Sequence, residues 1–204
     1  MNGMGFSEPG TRIFWTRQAA AIEAELEKTG VYRVKKEYIE KKNDTISEFY
    51  LRLYRWYTKE ASKYIETAGE YPIWLSMSED NMLQPVEGTV ILEVEIPADR
   101  YLLCNYDAWG YIVNYFYVPL DEADRVRHTN ELRRYGIGSD DELLLTNKGN
   151  FYPLLKREVQ QSWNRAFTLK PGNMEMGLVA TAWEIRKEWV REIRHYLISD
   201  AEFS

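Results

Sequence analysis

Between Thr45 and Ile65, apolar and aromatic residues recur every three or four positions: Ile46, Phe49, Tyr50, Leu53, Tyr57, Ala61, Tyr64 and Ile65. That repeat puts them on one face of a helix. Thr45-x-x-Glu48 has the form of a capping box, and Gly69 follows as a stop. The spacing predicts a helix over 45–67 packed on a sheet, with Phe49 and Leu53 in the core. A shorter pattern predicts a helix over 17–28, with Thr16 as its cap, Ala19, Ile22 and Leu26 on one face, and Gly30 at its end. Asp107 can open another helix running to Tyr115. Residues 152–167 carry Leu155, Val159 and Trp163 at helical spacing.

Period-two alternation occurs at 90–96, where Val90, Leu92 and Val94 face one way and Glu93 and Glu95 the other. This predicts a half-exposed strand ended by Pro97, with the two glutamates in water. Short apolar segments at 12–18, 31–34, 73–77 and 101–104 are further strand candidates. Residues 178–198 admit two readings. Ala182, Ile185, Trp189, Ile193 and Leu197 suit one amphipathic helix, which periodicity slightly favours. Segments 178–185 and 194–198 suit two strands. The sum is an α+β chain: residues 1–11 as an N-terminal tail, then a single globular domain over 12–199. Within it a small mixed or antiparallel sheet is flanked by helices, with a polar insert near 121–149.

The 204 residues carry a formal charge of −6, which argues against bulk nucleic-acid binding. Local basic clusters remain at Arg125–His128, Arg133–Arg134 and Arg186–Lys187, but acidic neighbours favour solvated faces. A lone cysteine, Cys104, permits no internal disulfide and reads as core. Two histidines and one cysteine cannot form the usual His/Cys zinc site, so no metal is expected. Gly136-x-Gly138 lacks the third glycine of a dinucleotide loop. The first ten residues lack the basic and apolar regions of a signal peptide, and no apolar run reaches the ~20 residues of a membrane span. A cytoplasmic protein is expected, without a membrane partner.

Five short motifs lie in order along the chain: Trp-Thr-x-Gln at 15–18, Tyr-Pro-Ile-Trp at 71–74, Asp-Ala-Trp at 107–109, Ser-Trp-x-Arg at 162–165 and Ala-Thr-x-Trp-Glu at 180–184. Together they resemble the bacterial family called domain of unknown function 3841, over residues 12–198. A weaker resemblance lies in the order of parts. Phe14-Trp15-Thr16, the following helix, Gly30-Val31-Tyr32, the strand 91–96, Asn105–Ala108 and Val179–Ala182 are laid out like the DarT-type DNA ADP-ribosyltransferases.

That second resemblance implies an ADP-ribosyltransferase-like fold binding NAD or a related nucleotide. Trp15, Thr16 and Arg17 would line the cleft, with Arg17 as phosphate partner. Tyr38 and Tyr71 would stack on nicotinamide. In the resembled enzymes a glutamate stabilises the cation that develops when the nicotinamide–ribose bond breaks. This chain has Thr181 at that place, and the nearest carboxylate is Glu184. An offset of three along a strand points to the opposite face, so Glu184 serves as catalytic acid only where the chain is re-aimed. Trp15 stands where those enzymes have a histidine. The alternative from a different class is a non-catalytic protein-interaction factor of bacterial or phage origin; binding of RNA or DNA through the local basic clusters is a third reading.

Overall fold

The structure is a computed structural model, and it describes residues 10–172 and 177–195. In chain order the elements are β1 (Thr11–Ala19), α1 (Ile22–Thr29), β2 (Val31–Tyr32), α2 (Lys36–Asn43), α3 (Ser47–Ala61), β3 (Ile73–Leu75), β4 (Thr89–Pro97), β5 (Leu102–Asn105), α4 (Tyr106–Val113), α5 (Glu122–Arg134), α6 (Asp140–Leu145), α7 (Lys148–Phe151), α8 (Pro153–Ser162), β6 (Leu178–Ala182), β7 (Ile185–Arg186) and β8 (Val190–His195). The α+β class holds, with antiparallel sheets and flanking helices. The described residues fall into two compact units, one of 10–102 with 179–195 and one of 103–172 with 177–178.

The first unit is built on β4. Val90, Leu92, Val94 and Ile96 are buried on one face; on the other Ile91 is buried too, and Glu93 and Glu95 are half-buried instead of standing in water. It pairs with β1 on one side and β8 on the other, both antiparallel. The first strand is longer than its apolar run, because Arg17, Gln18 and Ala19 continue the ladder opposite Ile91, Val90 and Thr89. Thr16 is therefore a strand residue and not a helix cap, and α1 starts five residues after the predicted start.

The helix reading of 178–198 is overturned. The segment forms β6, β7 and β8, paired with β3, β2 and β4 respectively. A 3.6-residue repeat in the sequence lost to cross-strand hydrogen bonding available from three existing partners. Leu197 lies outside the described residues, as do residues 1–9 of the expected tail.

The strongest helical pattern is real but shorter than predicted. The capping box does not form, since Thr45 sits in a 3-10 turn (Asp44–Ile46) and Ile46 occupies the cap position with no side-chain bond. Leu51, Leu53, Tyr57 and Ala61 are buried, Phe49 only partly. Tyr57 stacks on Trp183 with ring centroids 6.1 Å apart and lies 5.2 Å from Trp74. Ile39, Leu51 and Tyr71 form an adjoining apolar cluster. Gly69 passes so close to this layer that a Cβ would sit 2.9 Å from the Trp183 carbonyl.

The second unit is helical. Asn105 caps α4 by accepting from the Ala108 N–H at 2.9 Å, and its amide donates to the Leu169 carbonyl. Residues 121–149, expected as a polar insert, hold α5, α6 and α7 and bury Leu132, Ile137 and Leu143. Asp121 caps α5 through the Asp124 N–H. Asp124 then accepts from the Tyr117 hydroxyl, the Leu120 N–H, Arg127 and Arg165. Burial would raise the Asp124 carboxyl, but these donors outweigh it and hold it well below the usual carboxylate range.

Candidate functional site

Glu184 lies in the two-residue step between β6 and β7, where the chain changes its pairing partner. Ala180–Ala182 pair with β3, whereas Ile185 and Arg186 pair with Tyr32 and Val31 of β2. Trp183 fixes the step: it is buried, stacks on Tyr57, and donates its indole N–H to the Thr58 hydroxyl at 2.8 Å.

The carboxylate meets two guanidiniums. Arg33, just past β2, donates from Nη2 to Glu184 Oε2 at 2.5 Å. Arg186, two residues further along extended chain and so on the same side, donates from Nε to Oε1 at 2.9 Å. The Glu184 side chain is 5% exposed, against 46% for Arg33 and 42% for Arg186. Burial pushes the Glu184 carboxyl up, but bonds from Arg186 and Arg33 overcome that and hold it below its ordinary value. It is an ionised group at neutral pH.

These residues wall an open recess of about 240 Å³. Thr29, Gly30, Val31 and Arg33 form one side; Glu184, Arg186 and Glu188 form the other. Gly30 ends α1 at φ 73°, a left-handed conformation that glycine adopts without strain. It returns its N–H to the Leu26 carbonyl and accepts the Lys187 N–H, each at 2.9 Å. The guanidinium of Arg186 lies 5.4 Å over the Trp189 ring, which helps to fix its direction. Apart from its bond to Glu184, Arg33 makes no hydrogen bond among the described residues. A guanidinium has five N–H donors, so both arginines keep donors for a ligand.

Of the candidate catalytic and nucleotide-binding residues, Glu184 lines this recess and Trp15, Thr16, Arg17, Tyr38 and Tyr71 do not. Trp15 and Arg17 share one face of β1. The Trp15 backbone bonds both ways with Ser76, its indole N–H is buried without a partner among the described residues, and Arg17 donates to the Gln84 carbonyl at 2.9 Å. Thr16 lies on the opposite face and is buried. It donates to the Trp74 carbonyl and accepts from Gln18, which accepts from the Tyr32 hydroxyl. Tyr38 is tilted against Tyr32 at 6.4 Å, with Lys35 over its ring. Tyr71 is in the core beside Ile39 and Leu51, its hydroxyl 3.4 Å from Arg55 Nη2. Thr181 is fully buried, with its hydroxyl against Tyr57 and the Leu102 carbonyl.

Sequence reading passed over Arg33, and met Arg186 only as part of a basic cluster. Its one available signal was the i, i+2 spacing of Glu184 and Arg186. Elsewhere in the basic clusters Arg125 pairs with Glu122, Arg127 with Asp124, Glu131 and Glu158, and Lys187 with Glu27, while Arg134 lies over the Tyr135 ring. The second unit also holds a buried polar group that the sequence did not reveal. His128 Nε2 lies 2.6 Å from Asp140 Oδ1, and the imidazole stacks on the Tyr117 ring at 3.9 Å. Asp140 also accepts the Tyr117 N–H at 2.9 Å. No helix of the described residues is long and apolar enough to cross a membrane.

A family model described as a domain of unknown function (DUF3841) matches residues 13–191, as the five ordered motifs led us to expect. No curated protein and no solved structure matches the chain.

Proposed function

The chain belongs to that DUF3841 family, and we propose that it binds NAD or a related nucleotide in the recess beside Glu184, in the manner of an ADP-ribosyltransferase-like protein. The observation that carries the proposal is the buried carboxylate held between two half-exposed guanidiniums that retain spare donors. A guanidinium presents a planar fork that matches phosphate oxygens. Arg33 and Arg186 thus take the role that the sequence suggested for Arg17.

The chemistry such a site would support is ADP-ribosyl transfer. The nicotinamide–ribose bond breaks, nicotinamide leaves with the bonding electrons, and an acceptor oxygen or nitrogen bonds the ribose carbon and loses its proton. Glu184 would face the positive charge developing on that ribose. Its lowered pKa keeps it ionised for this task, and the guanidiniums that lower it also compete for its charge. A phosphate arriving on Arg33 and Arg186 would share their donors and release part of the carboxylate.

NAD at ~1 mM should raise the melting temperature of the protein by simple linkage. Nicotinamide release, followed by chromatography, should occur in the parent and stop in Glu184→Gln. A thermal shift without release in the parent would mark a binding protein without turnover. No shift would sink the nucleotide reading and favour the protein-interaction alternative.

A further inference from the structure

We infer that the helical unit carries a docking surface for an anionic lipid membrane, built on Phe151 and Leu154 and flanked by Arg134 and Arg157. None of these residues lines the recess beside Glu184, so the inference stands apart from the nucleotide reading.

Apolar exposure is the first argument. Phe151 is 79% exposed and Leu154 75%, more than any other large hydrophobic side chain among the described residues. Packing fixes both positions. Successive residues of a helix point about 100° apart, and α8 buries Leu155 and Val159, which turns Leu154 off the buried face. Gly149 holds α7 down: a Cβ there would stand 2.0 Å from the Leu143 carbonyl oxygen. Tyr152, between the two projecting residues, meets the Tyr135 ring at 5.4 Å.

Charge is the second. Arg133, Arg134 and Arg157 are exposed and pair with no carboxylate among the described residues. Arg134 lies over the Tyr135 ring at 5.8 Å. Arg157 follows Leu154 by three positions, on the same side of α8. The other arginines of this unit are taken up: Arg125 by Glu122, and Arg127 and Arg165 by Asp124. Unpaired cations around an apolar projection draw it to a negatively charged surface.

Shape selects the partner. A peptide is taken into a groove or onto a free strand edge, whereas this patch is made of helix ends, and its two apolar side chains project. Stacking along single-stranded nucleic acid needs aromatic faces, which Leu154 lacks. A lipid interface needs no matching cavity. Projecting apolar side chains enter the boundary of the hydrocarbon, tyrosine rings such as those of Tyr135 and Tyr152 sit at the headgroups, and guanidiniums reach lipid phosphates. The expectation of no membrane partner rested on spanning segments, which a peripheral contact does not need.

Co-sedimentation of the full chain with lipid vesicles tests this. Phosphatidylcholine vesicles with about 30% phosphatidylglycerol should bind the parent, and pure phosphatidylcholine should bind it about tenfold more weakly or not at all. Salt at about 0.5 M should release it. Phe151→Ser with Leu154→Ser should weaken binding by about tenfold or more, and Arg134→Glu with Arg157→Glu by about as much. Leu83→Ser, at an exposed leucine of the other unit, should bind like the parent. Circular dichroism on each variant checks that it is folded. No binding to the anionic vesicles, or binding that the Phe151 and Leu154 substitutions leave unchanged, would overturn the inference. Vesicles unbound while a single-stranded oligonucleotide binds through these residues would overturn it in favour of nucleic acid. Vesicles unbound while Phe151→Ser abolishes self-association would overturn it in favour of a second copy of the chain.

Discussion

Arg33 Nη2 donates to Glu184 Oε2 at 2.5 Å across 151 positions of the chain. The bond ties the loop after β2 to the step before β7, two pieces of a two-residue ladder that has little pairing of its own. It also places an ionised, buried carboxylate at the edge of a recess. Site and local architecture depend on the same contact.

The pH dependence of stability follows from it. Glu184 has a folded pKa below its unfolded value, so its contribution is fully present above the unfolded value near 4.5 and is lost as pH falls through the lower folded value. The parent should lose stability below about pH 4.5 more steeply than Glu184→Gln, which has no charge to lose. Paired urea titrations at pH 7 and at pH 3 measure the difference. Equal slopes would mean that the two arginines do not hold the carboxylate.

Removing one arginine should cost little at neutral pH. Both guanidiniums are nearly half exposed, so water screens much of the attraction, and Arg33→Ala should lose about 1 kcal/mol, toward the surface-pair limit. A loss above ~3 kcal/mol, the range for breaking a buried pair, would show that the recess is closed in solution.

Leu53 and Phe49 should separate cleanly. Leu53 is 1% exposed, and its truncation to Ala should cost about 2–5 kcal/mol. Phe49 is only partly buried, and Phe49→Ala should cost about 1–2 kcal/mol, since less area leaves water on folding. Thermal melts of the two variants decide; equal losses would put Phe49 in the core after all.

Asp124 anchors the helical unit. Asp124→Ala removes the acceptor of the Tyr117 hydroxyl and the Leu120 N–H and one partner each of Arg127, which keeps Glu131 and Glu158, and Arg165, which keeps the Val118 carbonyl; this should cost about 2–4 kcal/mol. Hydrogen exchange should show the loss first at the start of α5. Asp124→Asn keeps an acceptor oxygen and should recover part of it.

The parts legible in the sequence were those where one local signal had no rival. Leu92–Ile96 alternates strictly, and it lies in the central strand. Leu53, Tyr57 and Ala61 repeat at helical spacing, and α3 buries them. The reading failed where pairing partners decided. Arg17–Ala19 are polar enough for a helix start, yet they extend β1 because β4 is long enough to pair with them. Ala182, Ile185, Trp189 and Ile193 fit a helix, yet three strands claim Ala182, Ile185 and Ile193, and Trp189 ends a 3-10 turn (Lys187–Trp189) between two of them. At the site, Glu184 was visible as the carboxylate near Thr181. Arg33 was not, because no local rule links a residue after β2 to one 151 positions later.

Glu184→Gln should have opposite effects on binding and on chemistry. Loss of the negative charge frees both guanidiniums, so NAD should bind several-fold tighter, within about tenfold, as one less anion competes for the same donors. Weaker binding would mean that the carboxylate holds the ligand and not the arginines.

The most direct measurement is calorimetric binding of NAD to the parent, Arg33→Ala, Arg186→Ala and Arg17→Ala. If the recess is the site, the first two variants weaken binding by about tenfold, roughly 1.4 kcal/mol each, while Arg17→Ala binds like the parent, since Arg17 is turned to the Gln84 carbonyl. Loss of binding in Arg17→Ala alone, with Arg33→Ala and Arg186→Ala unaffected, would contradict the account and move the ligand to the face of β1 that carries Trp15.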